Sequence, residues 1–267
     1  MNSEETIRQN VRQRYGSIAL ADDRTGKGQG LSSCRCGCGN LDPDQVSAML
    51  GYSQEDLETV PQGANLGLGC GNPKAIAGIK KGEVVVDLGA GGGFDCFLAA
   101  RQTGKEGRVI GVDMTPEMVS KARKNKDRSG TDNVEFRLGE IEHLPVADNT
   151  ADLIISNCVI NLSPQKPQVF KEAFRVLKPG GRLTVSDILA LKPLPDSVRE
   201  DLNMVSACIG GAATVEETRQ MLESAGFKEV SVTPKPVPRE LVEAYLPESE
   251  AGDYVAPADI TAVKPNI

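Results

Sequence analysis

Residues 83–94 read E-V-V-V-D-L-G-A-G-G-G-F. Three consecutive β-branched valines, Val84, Val85 and Val86, suit a strand buried on both faces. Asp87 ends the apolar run, and the glycines at 89, 91, 92 and 93 let the backbone turn sharply and approach a ligand closely. Residues 94–100 (F-D-C-F-L-A-A) then resume with helical spacing. Strand, glycine-rich turn and helix together make the opening unit of a nucleotide-binding α/β fold.

Working outward, four more strands are expected at residues 108–113, 133–138, 151–157 and 181–187, with helices at 94–103, 116–128 and 164–177 between them. Alternation of this kind predicts a doubly wound parallel sheet whose ligands bind beyond the carboxyl ends of the strands. Before the sheet come an amphipathic helix at 3–15, a polar glycine-rich loop or lid at 16–30, two short helices at 43–50 and 53–60, and a glycine-dense loop at 62–73. After it come a linker at 191–195, a helix at 196–207, and a helix at 215–225 opened by the capping box of Thr214 and Glu217. A strand is expected at 228–233, followed by a proline-rich, weakly structured tail at 234–267 with a short helix near 240–245. Three parts are expected: residues 1–62 as helix, cysteine loop and lid, 63–190 as the ligand-binding domain, and 191–267 as a small α+β substrate region.

The chain has 267 residues and a net charge of −7, and its basic residues gather only at 121–128, so no nucleic-acid partner is expected. No run of 18 apolar residues and no signal-peptide core occur, which points to a cytoplasmic protein with no membrane partner. A single histidine, His143, leaves histidine-based acid–base chemistry almost without a candidate. Seven cysteines (34, 36, 38, 70, 96, 158 and 208) in such a chain suggest thiols used as thiols rather than a disulfide framework.

The glycine-rich turn fails as a dinucleotide fingerprint, because Phe94 stands where the third glycine of G-x-G-x-x-G belongs. It reads D-x-G-x-G-x-G instead, which resembles class I methyltransferases that use S-adenosylmethionine (SAM). That ligand has no pyrophosphate to seat on a helix N-terminus. Its ammonium needs a carboxylate, and Asp87 supplies one. Asp113, at the end of the second strand, is placed for the ribose hydroxyls, with Met114 beside it. Glu140 and Ile141, after the third strand, occupy the place where that family seats adenine. Asn157 closes the cofactor set.

The cysteines narrow the reading further. A-N-L-G-L-G-C-G-N-P at 64–73, S-N-C-V-I-N-L at 156–162 and A-C-I-G-G-A at 207–212, together with D-L-G-A-G-G-G-F-D-C-F at 87–97 and G-V-D-M-T-P at 111–116, resemble the prokaryotic branch of the arsenite methyltransferases. The likeness runs from about residue 8 to residue 232. It implies that Cys70, Cys158 and Cys208 bind trivalent arsenic, arsenite or methylarsenite, and that SAM supplies the methyl groups. It also implies that an external thiol reductant, glutathione or thioredoxin, restores the thiols. By the same likeness an N-terminal cysteine, Cys34, Cys36 or Cys38, is expected to take part in arsenic hand-over and disulfide chemistry. The residues themselves agree: soft thiolates suit a thiophilic centre, and a lone pair on arsenic needs no general base. Read alone, C-x-C-x-C at 34–38 is equally a loop of reactive thiols, a partial metal site, or one half of a redox pair. No metal other than arsenic is expected, and a monomer is.

Gly67 and Leu68 stand where several relatives, notably the animal ones, carry two tyrosines. An aromatic wall is therefore missing there, or Tyr15 supplies it. Asn161 is expected to satisfy local backbone, and Cys96 to fill core. Two other readings compete: a SAM-dependent methyltransferase of a small organic molecule, and a thiol-based metalloid binder or redox sensor.

Overall fold

The computed structural model of the chain describes residues 2–25, 42–236 and 254–266. Cys34, Cys36, Cys38 and the helix expected near 240–245 lie outside them. In chain order the elements are α1 (Glu4–Thr25), α2 (Pro43–Met49), α3 (Gln54–Thr59), α4 (Pro73–Ala77), β1 (Val84–Leu88), α5 (Phe94–Thr103), β2 (Arg108–Asp113), α6 (Pro116–Ser129), β3 (Val134–Leu138) and β4 (Ala151–Asn157). A single 3-10 turn (Ile160–Leu162) follows, then α7 (Lys166–Val176), β5 (Leu177–Ala190), α8 (Asp196–Arg199), α9 (Leu202–Ser206), α10 (Val215–Ser224), β6 (Lys228–Pro234) and β7 (Val255–Val263).

The seven strands form one sheet in the order β3-β2-β1-β4-β5-β7-β6. The first five are parallel, while β7 runs antiparallel to both β5 and β6. The valine run of β1 serves both faces by the two-residue period of a strand. Val85, with Val109, Leu153 and Ile155, packs beneath Phe97, Ala99, Val119 and Ala122 of α5 and α6. Val86, with Ile110, Ile154 and Leu183, packs against Phe170 and Ala173 of α7 and Leu222 of α10. A core on both faces leaves the carboxyl ends of the parallel strands as the place for a ligand. No described helix is long and apolar enough to cross a membrane.

Three expectations are corrected. The helix expected to stop at residue 15 continues to Thr25, so residues 16–25 are not a loop. Gly16 is a close-approach position rather than a breaker, because a Cβ there would lie 3.1 Å from Glu117 Oε2 of α6. Beyond it Ile18 and Ala19 bury against Leu66 and Met118. The tail is not weakly structured over residues 255–263: these form β7, hydrogen-bonded between β5 and β6. Its prolines hid an alternation in which Ala256, Ala258, Ile260 and Ala262 are all buried. The helix expected over 196–207 is two short ones, the second capped by Asp201, whose side chain accepts from Asn203 N at 2.7 Å.

Candidate active site

A cleft of about 1100 Å³, open mouth included, lies above the carboxyl ends of β1, β2 and β4. Gly89, Gly91, Asp87, Asp113, Met114, Ile141 and Asn157 line it at one end, and Cys158 lies at the other. Helix α1 covers it with Tyr15, which the sequence offered as an aromatic wall, and with Arg8 and Val11, which carry no motif and which sequence reasoning missed.

At the first end the turn is held to β2: Gly89 N and Ala90 N both donate to Val112 O, at 2.7 and 3.0 Å. Gly89 takes φ +73°, and a Cβ there would come 2.3 Å from Val159. Gly91 takes φ +52°, yet a Cβ there would meet nothing within 4 Å. Open space over a bare backbone is what a bound ligand fills. Gly93 does not line the cleft; it begins α5, and a Cβ there would strike Phe97 and Phe136.

Of the acids at this end, Asp87 and Asp95 are buried and Asp113 is half-buried. Asp113 accepts from Gly91 N at 2.9 Å and Thr115 N at 2.8 Å, one on each oxygen, and the Thr115 side chain bonds it as well, which leaves part of its acceptor capacity for a hydroxyl. Burial raises its pKa, and those two amides oppose the shift. Burial also holds Asp87 well above the carboxylate range, with Asp95 adding to it. Cys96, buried in the core as expected, donates to Asp87 Oδ2 at 3.1 Å. Asp95 accepts from Tyr52 Oη at 2.6 Å and Asn157 Nδ2 at 3.2 Å, and its pKa is raised by burial too. Three carboxylates, two buried and one half-buried, partnered by neutral donors fit a ligand that brings positive charge, as a sulfonium and an ammonium do. Glu140 does not line the cleft: Arg12 donates to it, and Arg8 Nε lies 3.6 Å off. Glu142, two residues on, lines the cleft and accepts from Ser163 Oγ at 2.5 Å.

At the second end the sequence brings together residues from three distant segments. Cys70 and Cys158 are joined as a disulfide with Cα atoms 5.6 Å apart. Cys208 is free, and its thiol donates to Cys158 O at 2.8 Å. All three are buried in one apolar cluster with Val11, Leu162, Tyr15, Met114 and Ile188. Met114 thus belongs to both ends, and Tyr15 is the aromatic residue beside the thiols. Burial pushes the Cys208 thiol up and Asp187 adds to it, against Arg14, Tyr15 and Lys166.

Two features here escaped sequence reasoning. Asp187 lies in β5 with a carboxylate oxygen within 4.8 Å of the Cys70 and Cys158 sulfurs. Burial raises its pKa to about 6, with backbone amides and Lys166 resisting. Asn161 does more than satisfy local backbone, because it donates to Cys208 O, 47 residues away, at 3.2 Å. The signal for Asp187 was available, an acid at a parallel strand's carboxyl end. Nothing local marked Asn161.

Comparison with known proteins shows the family. A family model described as a methyltransferase domain matches residues 79–226. The chain is 48% identical, over 98% of its length, to the arsenite methyltransferase of Halobacterium salinarum, spanning 67% of that protein. It is 43% identical over 60% of its length to that of Aquipseudomonas alcaligenes, of which it spans 47%. Its fold overlays the crystal structure of an arsenic(III) S-adenosylmethionine methyltransferase from Chlamydomonas reinhardtii at a TM-score of 0.60 and 34% identity, covering 83% of this chain and 73% of the algal one. With a glycine-turn cleft at one end and a three-cysteine cluster at the other, the chain belongs to the arsenite methyltransferase family of SAM-dependent enzymes.

Proposed function

We propose that this chain methylates trivalent arsenic held by Cys70, Cys158 and Cys208. The observation that carries the reading is the convergence of these cysteines, from three segments, in one buried cluster at the end of the cleft. Asp87, Asp113, Met114, Ile141 and the turn glycines would hold the cofactor, and SAM when bound supplies a methyl group on a positively charged sulfur.

The chain's own residues then do three things. The thiols exchange for the hydroxyls of arsenite, each thiol proton leaving in water, so three sulfurs hold the arsenic and its lone pair stays free as the nucleophile. The apolar lining from Val11, Leu162 and Ile188 excludes water from the reacting face. The scaffold aligns lone pair and methyl, so catalysis is mainly positioning. Alkylation takes two electrons from arsenic. Two of its thiolates return them by leaving as a disulfide, while water or another thiol takes the vacated place. The Cys70–Cys158 disulfide is the state such a step would leave.

An external dithiol or glutathione must then reopen it, which fits a reducing compartment such as the cytoplasm. Cys34, Cys36 or Cys38 would hand arsenic in. In this reading residues 63–190 hold the cofactor, α1 and α2 cover it, and residues 191–267 contribute Cys208. One copy supplies all three thiols, so a monomer suffices. Arsenite, SAM and a thiol reductant should give methylated arsenicals with the reduced protein. The Cys70→Ser, Cys158→Ser, Cys208→Ser triple variant should give none. Methylation retained there refutes the reading.

A further inference from the structure

Cys158 has an asparagine on each side in sequence, Asn157 immediately before it and Asn161 three residues after it. We propose that they are positioning residues: Asn157 fixes the loop of Cys70, and Asn161 the loop of Cys208, to the segment that carries Cys158. The inference rests on the three-thiolate reading above.

Asn157, the last residue of β4, makes a two-point contact across Cys70. Its Oδ1 accepts from Cys70 N at 3.1 Å, and its Nδ2 donates to Gly71 O at 2.9 Å. Asn161 makes the matching contact on the other side. Its Nδ2 donates to Cys208 O at 3.2 Å, Ile188 O at 2.5 Å and Asp187 Oδ1 at 3.0 Å. Asp187 completes the clamp by accepting from Ile160 N at 3.0 Å, Asn161 N at 3.3 Å and Ile188 N at 2.8 Å. Four bonds use the carboxylate's whole acceptor capacity. Its proximity to the sulfurs therefore reflects holding the 3-10 turn and β5 together, not a place among the ligands.

The glycines beside the cysteines make these contacts feasible. A Cβ on Gly69 would lie 2.7 Å from Asn157 Nδ2, and one on Gly211 only 2.1 Å from Asn161 O. G-C-G, N-C-V-I-N and C-I-G-G are thus parts of one device. The backbone at the thiols needs such a device. Cys158 and Cys208 take φ +59° and +65°, left-handed values that a non-glycine residue holds only when its surroundings over-determine them. Two amide bonds to the Cys70 loop from Asn157, and one to Cys208 from an Asn161 that is itself tied to β5, supply that restraint.

X-ray absorption at the arsenic edge, on reduced protein loaded with arsenite, counts the sulfur neighbours directly. SAM affinity and the arsenite KM and kcat are measured alongside. The unsubstituted protein should show three sulfurs and Cys208→Ser two; fewer than three in the former overturns the three-thiolate reading itself. With that reading intact, Asn161→Ala should lower the count to two and raise the arsenite KM about tenfold, the usual cost of losing a group that orients a ligand. SAM affinity should not change. Three sulfurs with an unchanged KM would overturn the inference. Gly211→Ala leaves Asn161 in place while driving the Cys208 loop off its carbonyl. It should reproduce the loss of one sulfur, and a full count there also overturns the inference, whether or not Asn161→Ala folds.

Discussion

The two ends of the cleft are assembled by opposite strategies. The cofactor end is local: β1, the glycine turn, and Asp113 with Met114 at the end of β2 come from one run of chain, closed by backbone bonds such as Gly89 N to Val112 O. The thiol end is long-range: Cys70 and Cys158 are 88 residues apart, Cys158 and Cys208 a further 50. Backbone geometry is enough to shape the first end. The second needs side chains reaching across between loops, because each ligand arrives on its own segment. The ends also differ in charge. The first gathers several carboxylates, while the second buries a disulfide and a thiol in an apolar cluster with a single carboxylate, Asp187, beside them.

That contrast can be broken most severely at the thiol end. Cys158→Ser and Cys208→Ser should each lower the rate of methyl transfer by about 10²-fold or more, with SAM binding by calorimetry unchanged. Loss of SAM binding in either variant would mean the ends are not separable. At the cofactor end, Asp113→Ala removes a charged acceptor and should weaken SAM by roughly tenfold to a hundredfold, the range for hydrogen bonds to an ionised group. Arsenite binding to the reduced protein should persist.

A pH series sharpens the same contrast. Asp87, Asp95 and Asp113 have raised pKa values in the free protein, chiefly from burial, so protons must leave before a cation is held well. SAM affinity should therefore fall as pH is lowered. Exchange of thiols for the hydroxyls of arsenite releases only water, so arsenite affinity should stay flat between about pH 5 and 7.5, below the thiol range. Stability follows the sign of the same shifts. Folded carboxylates with raised pKa bind more protons than unfolded ones, so they lower stability as pH rises from about 4; for Asp187 that loss is complete above its value of about 6. The gain in Tm on adding SAM should be larger at neutral than at acid pH. The smallest effect is expected from Tyr15→Phe. It removes a 3.4 Å bond from Tyr15 Oη to Ser206 O and a side-chain hydrogen bond to Cys208, so the change should be about 0.5–1 kcal/mol in thermal unfolding.

Legibility followed the same division. Val84–Leu88, Phe94–Thr103, Arg108–Asp113 and Ala151–Asn157 are as expected from valine runs, glycine punctuation and strand-end acids, because these signals act over a few residues. The three cysteines were legible only through their joint motifs, since a lone cysteine at a strand end is ordinary core. Asn161 was not legible at all: its partner lies on another segment, and the same residue type satisfies local backbone in most loops. The extension of α1 past Gly16 was hidden because a glycine reads as a stop until its neighbour, Glu117, is in view. Strand β7 was hidden by composition, because Pro257 argues against a strand unless a partner's register accommodates it.

That last strand has a consequence for synthesis. Residues 255–263 lie between β5 and β6, paired with residues 182–190, the part of β5 that carries Ser186 and Asp187. Ser186 Oγ reaches Asp259 of β7 at 3.3 Å, while its other side meets Gly71 beside Cys70. On the ribosome β5 must therefore wait with an open edge, and β6 without its neighbour, until Val263 has left the exit tunnel. The wall behind Cys70 is thus among the last parts to set, so a nascent chain could carry a finished cofactor pocket before it can hold arsenic.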